Sequence, residues 1–189
     1  MLIQARLTIV SAMIAAILAV FTAAGPAMAA ARCPNAAVAN KAGKAFLAAA
    51  KKKSAPMFAK ALEKYADMEK ISKFALGKHR RRYSDAQLRE LVALSGNYIS
   101  VTLADFARKF KGSAIFAIEC RRDGIVKSRL EFLSRSAKAV LWRFNGSKIT
   151  DVYIQNVWLA QLLRDNYASI IRKNRNNPEA LLAHLRASQ

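Results

Sequence analysis

Two glycine-containing turns constrain the fold of this chain more than any other feature. Asp123-Gly124 and Asn145-Gly146 each separate two runs rich in β-branched and aromatic residues, and such dipeptides favour the tight turn of an antiparallel hairpin. The runs read AIFAIEC, IVKSRLEFL, AKAVLWRF and SKITDVYI, and a short SRS segment separates the second from the third. Strands in this order, joined by short turns, predict a four-stranded antiparallel meander.

Alternation along these strands predicts that the sheet has one apolar face. Val140, Trp142 and Phe144 recur at every second position of one strand, and Leu130 and Phe132 do so on the strand before it. Residues with this spacing point to the same side of a sheet, whereas their charged neighbours point to the other side. We therefore expect helices to cover the apolar face.

The remainder of the chain carries helical signals. Ser84 and Gln87 have the spacing of a capping box before a long amphipathic segment that reaches Phe110. Other helices are predicted from about Asn35 to Lys53, from Pro56 to Tyr65, from Met68 to Leu76, from Val157 to about Lys173 and from Pro178 onwards. Since 53% of the residues are hydrophobic, the chain can bury a core. We predict an α+β fold, with helices packed on one face of the four-stranded meander, in one domain over residues 30–189.

The N-terminus is typical of a secretory signal peptide. Arg6 precedes the uncharged run from Leu7 to Ala24, and a segment of small residues follows it. The motif Ala27-Met28-Ala29 predicts cleavage after Ala29, with Ala31 as a second choice. An uncleaved anchor stays open, because a run of this length is near the lower limit for crossing a bilayer. A lipid-modified Cys33 is disfavoured, since Arg32 precedes it where a small residue is needed. We therefore expect an exported protein.

The charge of the chain limits its partners. The formal net charge is +20, and removal of residues 1–29 would take away a single cation, Arg6. Because an exported protein seldom meets nucleic acid, we expect membrane surfaces, lipid head groups or acidic partners instead. The bland alternative is that dispersed Lys and Arg only keep the protein soluble.

The two cysteines predict one disulfide. Cys33 and Cys120 are the only cysteines, and an even number in an exported chain favours pairing. The bond would join the mature N-terminus to the middle of the domain, although two free thiols remain the alternative. Neither cysteine belongs to a CxxC pair.

The sequence offers little support for catalysis. The only histidines, His79 and His184, are not near a nucleophile or an acidic residue in a known arrangement, and metal-ligand motifs and glycine-rich phosphate loops are absent from the sequence. We therefore predict a protein that is not an enzyme and that has no cofactor or metal. The cluster KHRRR would indicate nucleic-acid binding in another compartment, but export argues against a nucleic-acid partner.

Three segments, in this order, resemble the periplasmic MlaC-type proteins, also called toluene-tolerance auxiliary components of ABC transporters. The first runs from KISKFALGKHRRRYSDAQLRELV into the long helix, the second is WRFNGSKITDVYI, and the third is NVWLAQLLRDNYASIIRK. Together they lie between about Lys70 and Leu185. Three positions depart from the family pattern: Asn156 replaces a usual glycine, Trp158 a small residue, and Leu163 a frequent aromatic.

The resemblance implies a periplasmic phospholipid carrier that serves an ABC-type transport system between membranes. Acyl chains would lie in an apolar cavity between sheet and helices, and the partners would be phospholipid, membrane surfaces or membrane-bound transporter components. We expect it to act as a monomer. Strand parity and helix faces select the following lining residues: Phe106, Phe110, Phe116, Ile118, Leu130, Phe132, Val140, Trp142, Tyr153, Trp158, Leu162 and Leu163.

The candidates for head groups or a membrane surface are Lys78, Arg80, Arg81 and Arg82, together with Arg164, the cation that matches the family pattern. A second function class remains open, namely a basic exported binding or structural protein. Such a protein would dock an acidic partner or a membrane surface and would hold no lipid inside.

Overall fold

The computed structural model describes residues 33–121 and 123–188. The predicted signal peptide, residues 1–29, lies outside this part of the chain. Within it, six α-helices, one 3-10 helix and five strands follow one another as α1 (Ala36–Lys52), α2 (Ala55–Tyr65), α3 (Met68–Leu76), the 3-10 helix (Gly77–Arg82), α4 (Asp85–Ala107), β1 (Gly112–Cys120), β2 (Val126–Phe132), β3 (Lys138–Asn145), β4 (Lys148–Ile154), β5 (Val157–Trp158), α5 (Leu159–Lys173) and α6 (Glu179–Ala187).

Local chemistry sets the ends of the helices. The predicted capping box begins α4: the Gln87 amide donates to Ser84 Oγ at 3.2 Å, and the Ser84 amide donates to Gln87 Oε1 at 2.9 Å. Asp67 caps α3 by accepting a hydrogen bond from the Lys70 amide at 3.0 Å. The long helix ends at Ala107, slightly earlier than predicted, because the chain tightens into a turn in which the Phe110 amide donates to the Ala107 carbonyl.

The strands form one sheet in the order β1-β2-β3-β4-β5, and every neighbouring pair is antiparallel. The α+β fold and the antiparallel meander are therefore confirmed, but the strand count of four was wrong. The extra strand is β5, which pairs with the end of β4 where we predicted the start of a helix. Gln155 and Asn156 have φ values of 50° and 68°, and two left-handed residues in succession make a tight hairpin turn. Asparagine tolerates this conformation better than most residues, which explains how Asn156 can occupy this turn.

Three apolar clusters stabilise these layers. One lies between α1 and the sheet, another joins α1, α2 and α4, and the third joins α3, α4, α5 and α6. The beginning of β4 also contacts the α2–α3 junction, where the Asp67 amide donates to the Ile149 carbonyl at 2.8 Å. The sheet is thus covered on one side by α1 and tied at its β4 edge to the helical layer.

Candidate functional site

The apolar face of the sheet and helix α1 enclose the most extensive apolar region that involves the strands, which we name the sheet-facing interior. The alternate residues of β2 and β3 point into it, and they meet the small residues Ala39 and Ala42 of α1. A side chain on Gly43 would place its Cβ at 3.1 Å from Ile115 of β1, so α1 approaches the sheet closely. The buried strand residues of this interior are Ile115, Val126, Leu130, Phe132, Val140, Trp142 and Ile149.

Helix α1 runs antiparallel to the edge strand β1 and is attached to it at three levels. The predicted disulfide is confirmed: Cys33 before α1 bonds to Cys120 at the end of β1, with 5.6 Å between their Cα atoms. Halfway along, Asn40 Oδ1 accepts from the Ala117 amide at 2.6 Å. At the far end, the Lys51 ammonium donates to the Ser113 carbonyl at 2.8 Å. The side chains of α1 thereby occupy backbone groups that an edge strand would otherwise expose.

The sheet-facing interior contains one polar pair. The indole N–H of Trp142 donates to Ser128 Oγ at 2.8 Å, and both residues are buried. This bond satisfies a donor that would be costly to bury alone. The sequence analysis selected Trp142 but missed Ser128. Its alternation with Leu130 and Phe132 on β2 could have predicted that it faces inward.

Phe110 closes one end of this interior. Its ring contacts Phe132 edge-on, with 5.8 Å between the ring centroids. The same ring lies where a side chain on Gly112 would have to be, since a Cβ there would be 2.4 Å from two ring atoms. Only glycine fits at this position, and the end of α4 can therefore approach the first residue of β1.

A second interior lies among the helices and contains another buried polar pair. The hydroxyl of Tyr167 on α5 donates to Ser95 Oγ on α4 at 2.8 Å, and neither residue is exposed. Burial raises the pKa of Tyr167. Burial likewise raises the pKa of Tyr83 to about 12. Both phenols therefore stay protonated near neutral pH and serve as hydrogen-bonding parts of the helical core.

The junction between β4 and α5 is built around a buried carboxylate. Asp151 accepts from the Val152 amide at 2.8 Å and from the Ala160 amide, in the first turn of α5, at 2.9 Å. Burial raises the pKa of Asp151, and these two amides and the nearby Arg143 oppose the rise. The guanidinium of Arg143 lies 3.7 Å above the Trp158 ring, which in turn contacts Tyr153. This junction fixes where α5 leaves the sheet.

The structure brings together only some of the predicted lining residues. Five of them belong to the sheet-facing interior: Phe110, Leu130, Phe132, Val140 and Trp142. By strand register, Phe116, Tyr153 and Trp158 lie on the opposite face of the sheet, because Tyr153 pairs with Leu141 and with Trp158, whereas Trp142 pairs with Val152. Leu163 packs in the helical interior, and the remaining three, Phe106, Ile118 and Leu162, are exposed.

The predicted cationic residues lie on and around the 3-10 helix. Lys78, Arg80 and Arg81 line an open groove of about 550 Å³ with Gly77, while Arg82 is engaged by the carbonyl of Asn176. The guanidinium of Arg164 lies against Gly77 and 5.3 Å from the centre of the Phe74 ring. His79 is buried between these cations. Burial lowers its pKa most, and the positive charges of Lys78, Arg82 and Arg172 lower it further.

Sequence reasoning missed two features of the surface and interior. The first is the contribution of α1, whose signal was the recurrence of Ala39, Ala42 and Gly43 at close helical spacing. The second is an open groove of about 640 Å³ between α2 and α4, with Ala59, Lys60, Val92, Ala93 and Gly96 among its lining residues. Neither groove is lined by residues of the sheet-facing interior.

Across residues 33–121 and 123–188, no cluster of three or more His, Cys, Asp or Glu side chains could hold a metal ion. Nor does any helix in that part of the chain have the length and apolarity to cross a membrane. What the arrangement offers is two apolar interiors with satisfied polar pairs and a strongly cationic surface.

An antiparallel meander whose apolar face is covered by helices, and which a disulfide ties to the first of them, defines an α+β protein with an enclosed apolar layer. The description "MlaC protein" belongs to the family model that matches residues 37–187. Since the match spans most of the chain, the protein belongs to the MlaC family. The predicted family relationship is therefore confirmed.

A solved structure supports the same fold. It is a phospholipid-binding protein from Ralstonia solanacearum in complex with a phospholipid, and it is 17% identical to this chain, with a TM-score of 0.66. The comparison covers 82% of this chain and 96% of that one. No curated protein matches the sequence.

Proposed function

We propose that this protein is a phospholipid-binding carrier that holds acyl chains in the sheet-facing interior. The observation that carries the proposal is the enclosure of a continuous apolar sheet face by α1 in a chain of the MlaC family. Support also comes from the Ralstonia protein, whose fold is similar and which is described as binding phospholipid. Each methylene transferred from water into such an interior contributes about 0.8 kcal/mol, so a carrier of this kind needs apolar volume and no catalytic group.

The wider role that we propose is that of an exported, periplasmic component that serves an ABC-type lipid transport system. Its support is the family membership, the signal-peptide pattern of residues 1–29 and the Cys33–Cys120 disulfide, since disulfides persist in oxidising compartments. We propose no enzymatic step. The lipid would be carried and released unchanged.

Loading the interior would require α1 to move away from part of the sheet, because side chains fill the space between them. The attachments of α1 make its two ends unequal. The Cys33 end is covalently fixed to β1, whereas at the Lys51 end α1 packs against α2 and α4 through Ala49 and Ala50 and is joined to β1 only by an exposed hydrogen bond. We therefore propose that α1 separates from β1 at the Lys51 end and that acyl chains enter past Phe110.

The filled interior also favours a second candidate function. If the packing between α1 and the sheet never opens, the protein would instead be a basic exported binding protein that docks an acidic partner or a membrane surface without an internal lipid. The close contact between Gly43 and Ile115 is the observation that favours this alternative.

The two tryptophans, which lie on opposite faces of the sheet, allow a direct test. Trp158→Phe leaves Trp142 in the sheet-facing interior, and Trp142→Phe leaves Trp158 on the other face as a matched control. Each variant would be incubated with vesicles of phosphatidylcholine carrying brominated acyl chains, which quench a tryptophan at contact range. The vesicles would then be removed before fluorescence and native mass spectrometry are recorded.

A carrier of the proposed kind would retain phospholipid by mass and would show quenching in Trp158→Phe but little in Trp142→Phe. Quenching confined to Trp142→Phe would move the lipid to the opposite face of the sheet. A clean protein mass in both variants and in the unaltered chain would refute the carrier proposal and favour the second candidate.

A further inference from the structure

The end of the molecule where α4 leads into β1 carries the two most exposed large apolar side chains of the described residues. Leu133, just after β2, is 82% exposed, and Phe106, in the last turn of α4, is 69% exposed. They belong to the same end because only a short link joins α4 to Gly112, and Gly112 pairs with Phe132. We name this region the tip surface.

The tip surface is also rich in unpaired cations. Lys52 and Lys53 end α1, which reaches this region through the contact between Lys51 and Ser113. Lys109 and Lys111 belong to the link between α4 and β1, and Arg135 belongs to the loop after β2. Among the described residues, none of the four lysines Lys52, Lys53, Lys109 and Lys111 lies within 4.0 Å of a carboxylate.

The cations do not cover the apolar tips. The guanidinium of Arg135 stacks 3.9 Å above the ring of Phe132. The adjacent Leu133 nevertheless remains 82% exposed. By contrast, the exposed Phe74 of α3 has Arg164 beside its ring. Helix α4 has 23 residues, so its two ends are about 34 Å apart.

We propose that the tip surface docks on an anionic phospholipid bilayer, with Leu133 and Phe106 inserted among the head groups and the surrounding lysines against lipid phosphates. Large exposed apolar side chains on the same end of a molecule as several Lys residues have the composition of an interfacial membrane-binding surface, although Asp105 and Arg108 form an ion pair beside Phe106. Each cation held near an anionic bilayer adds to its attraction, and inserted apolar side chains add burial. An acidic protein surface is the competing partner, and the vesicle experiment distinguishes it from the bilayer.

This inference deepens the proposed function, since the tip surface includes the Lys51 end of α1, where we propose that acyl chains enter. It does not depend on that function for its test. Binding to a bilayer can be measured whether or not the interior accepts a lipid.

The experiment is flotation of the mature chain with vesicles of phosphatidylcholine that contain roughly one third phosphatidylglycerol. One variant, Lys52→Gln/Lys53→Gln/Lys109→Gln, removes charge from the tip surface, and another, Phe106→Ser/Leu133→Ser, removes its apolar side chains. The matched control, Arg172→Gln/Lys173→Gln/Arg175→Gln, removes the same charge from exposed positions around the end of α5. A last variant, Lys78→Gln/Arg80→Gln/Arg81→Gln, neutralises the 3-10 helix.

We expect the unaltered chain to float with anionic vesicles and not with pure phosphatidylcholine, and less so at high salt. Neutralising the three tip lysines should weaken partitioning on the order of 100-fold, and the serine variant should weaken it by roughly tenfold or more. The control should change it far less. An equal loss in the control would show that vesicle binding depends on the net charge of the protein and not on the tip surface. A larger loss on the 3-10 helix would place the membrane face at the other end of α4. No flotation at low salt would overturn the membrane partner and leave an acidic protein. Lipid uptake in the fluorescence assay is read separately, so either proposal can fail alone.

Discussion

Removing the disulfide should destabilise this protein by an amount that can be worked out from its position. The bond joins residues that are 87 apart in sequence, and the chain-entropy relation for such a loop gives a loss of roughly 4 to 5 kcal/mol in the free energy of unfolding. Cys33→Ala/Cys120→Ala is the suitable change, because alanine leaves no reactive thiol. Both cysteines are partly buried against the sheet-facing interior, so the lost contacts add a small further cost.

The assay is equilibrium unfolding in urea of the oxidised protein, the reduced protein and the alanine variant. The uncrosslinked chains should unfold at lower urea. They should also show a larger m value, since their unfolded state exposes more surface. Hydrogen exchange should then report increased opening of α1 at its Ala36 end, which the disulfide fixes, relative to the Lys52 end. Reductant added to the alanine variant is the control and should change nothing.

A loss below about 1 kcal/mol would refute the reasoning, because it would mean that the loop is already restricted in the unfolded chain or that the bond strains the folded one. A loss of the expected size, together with uniform hydrogen exchange along α1, would refute only the prediction that the disulfide fixes the Ala36 end. In that case the disulfide would restrain the unfolded chain without fixing one end of the helix.

Two further predictions concern buried polar groups. Ser128→Ala should lower the free energy of unfolding by about 1–3 kcal/mol, because it leaves the indole N–H of Trp142 buried without an acceptor; adding Trp142→Phe should cost less than the sum of the single changes, and strict additivity in thermal unfolding would contradict this pairing. At Asp151, whose pKa lies above its ordinary 3.8 because of burial, the folded protein holds the proton to higher pH than the unfolded chain. The resulting stability is complete below pH 3.8 and is lost as pH rises through the folded pKa. Both Asp151→Asn and Asp151→Ala should remove that fall. At pH below 3.8, Asp151→Ala should also cost about 1–2 kcal/mol, because it deprives the Ala160 and Val152 amides of their acceptor. Parallel pH profiles for Asp151→Asn and the unaltered chain would contradict the assignment.

The parts of the fold that depend on local chemistry could be predicted from the sequence. Gly124 and Gly146 have φ values of 78° and 56°, which is the conformation that made their dipeptides strong turn signals. The capping box at Ser84 was equally visible. Parity placed Val140 and Trp142 on one face because β2 and β3 pair without interruption.

Parity failed on β1, β4 and β5. Ile115, not Phe116, pairs with the inward-facing Leu130, and Val152, not Tyr153, pairs with the inward-facing Trp142. The neighbours within each of these strands are both apolar or aromatic, so alternation alone does not say which of them faces α1. The turn at Gln155 was missed because neither it nor Asn156 is glycine.

The placement of α1 shows what sequence can and cannot supply about the site. An alanine-rich helix ending in three lysines and a cysteine before it were both apparent. Which strand the helix covers follows only from contacts distant in sequence, such as those of Asn40 with Ala117 and Lys51 with Ser113. Those contacts also show which end of α1 the disulfide fixes, namely the Cys33 end, which is remote from the tip surface. The end of α1 that we propose to separate from β1, the proposed entrance at Phe110 and the cations of the tip surface then lie at the same end of the molecule, and each can be tested by a different measurement.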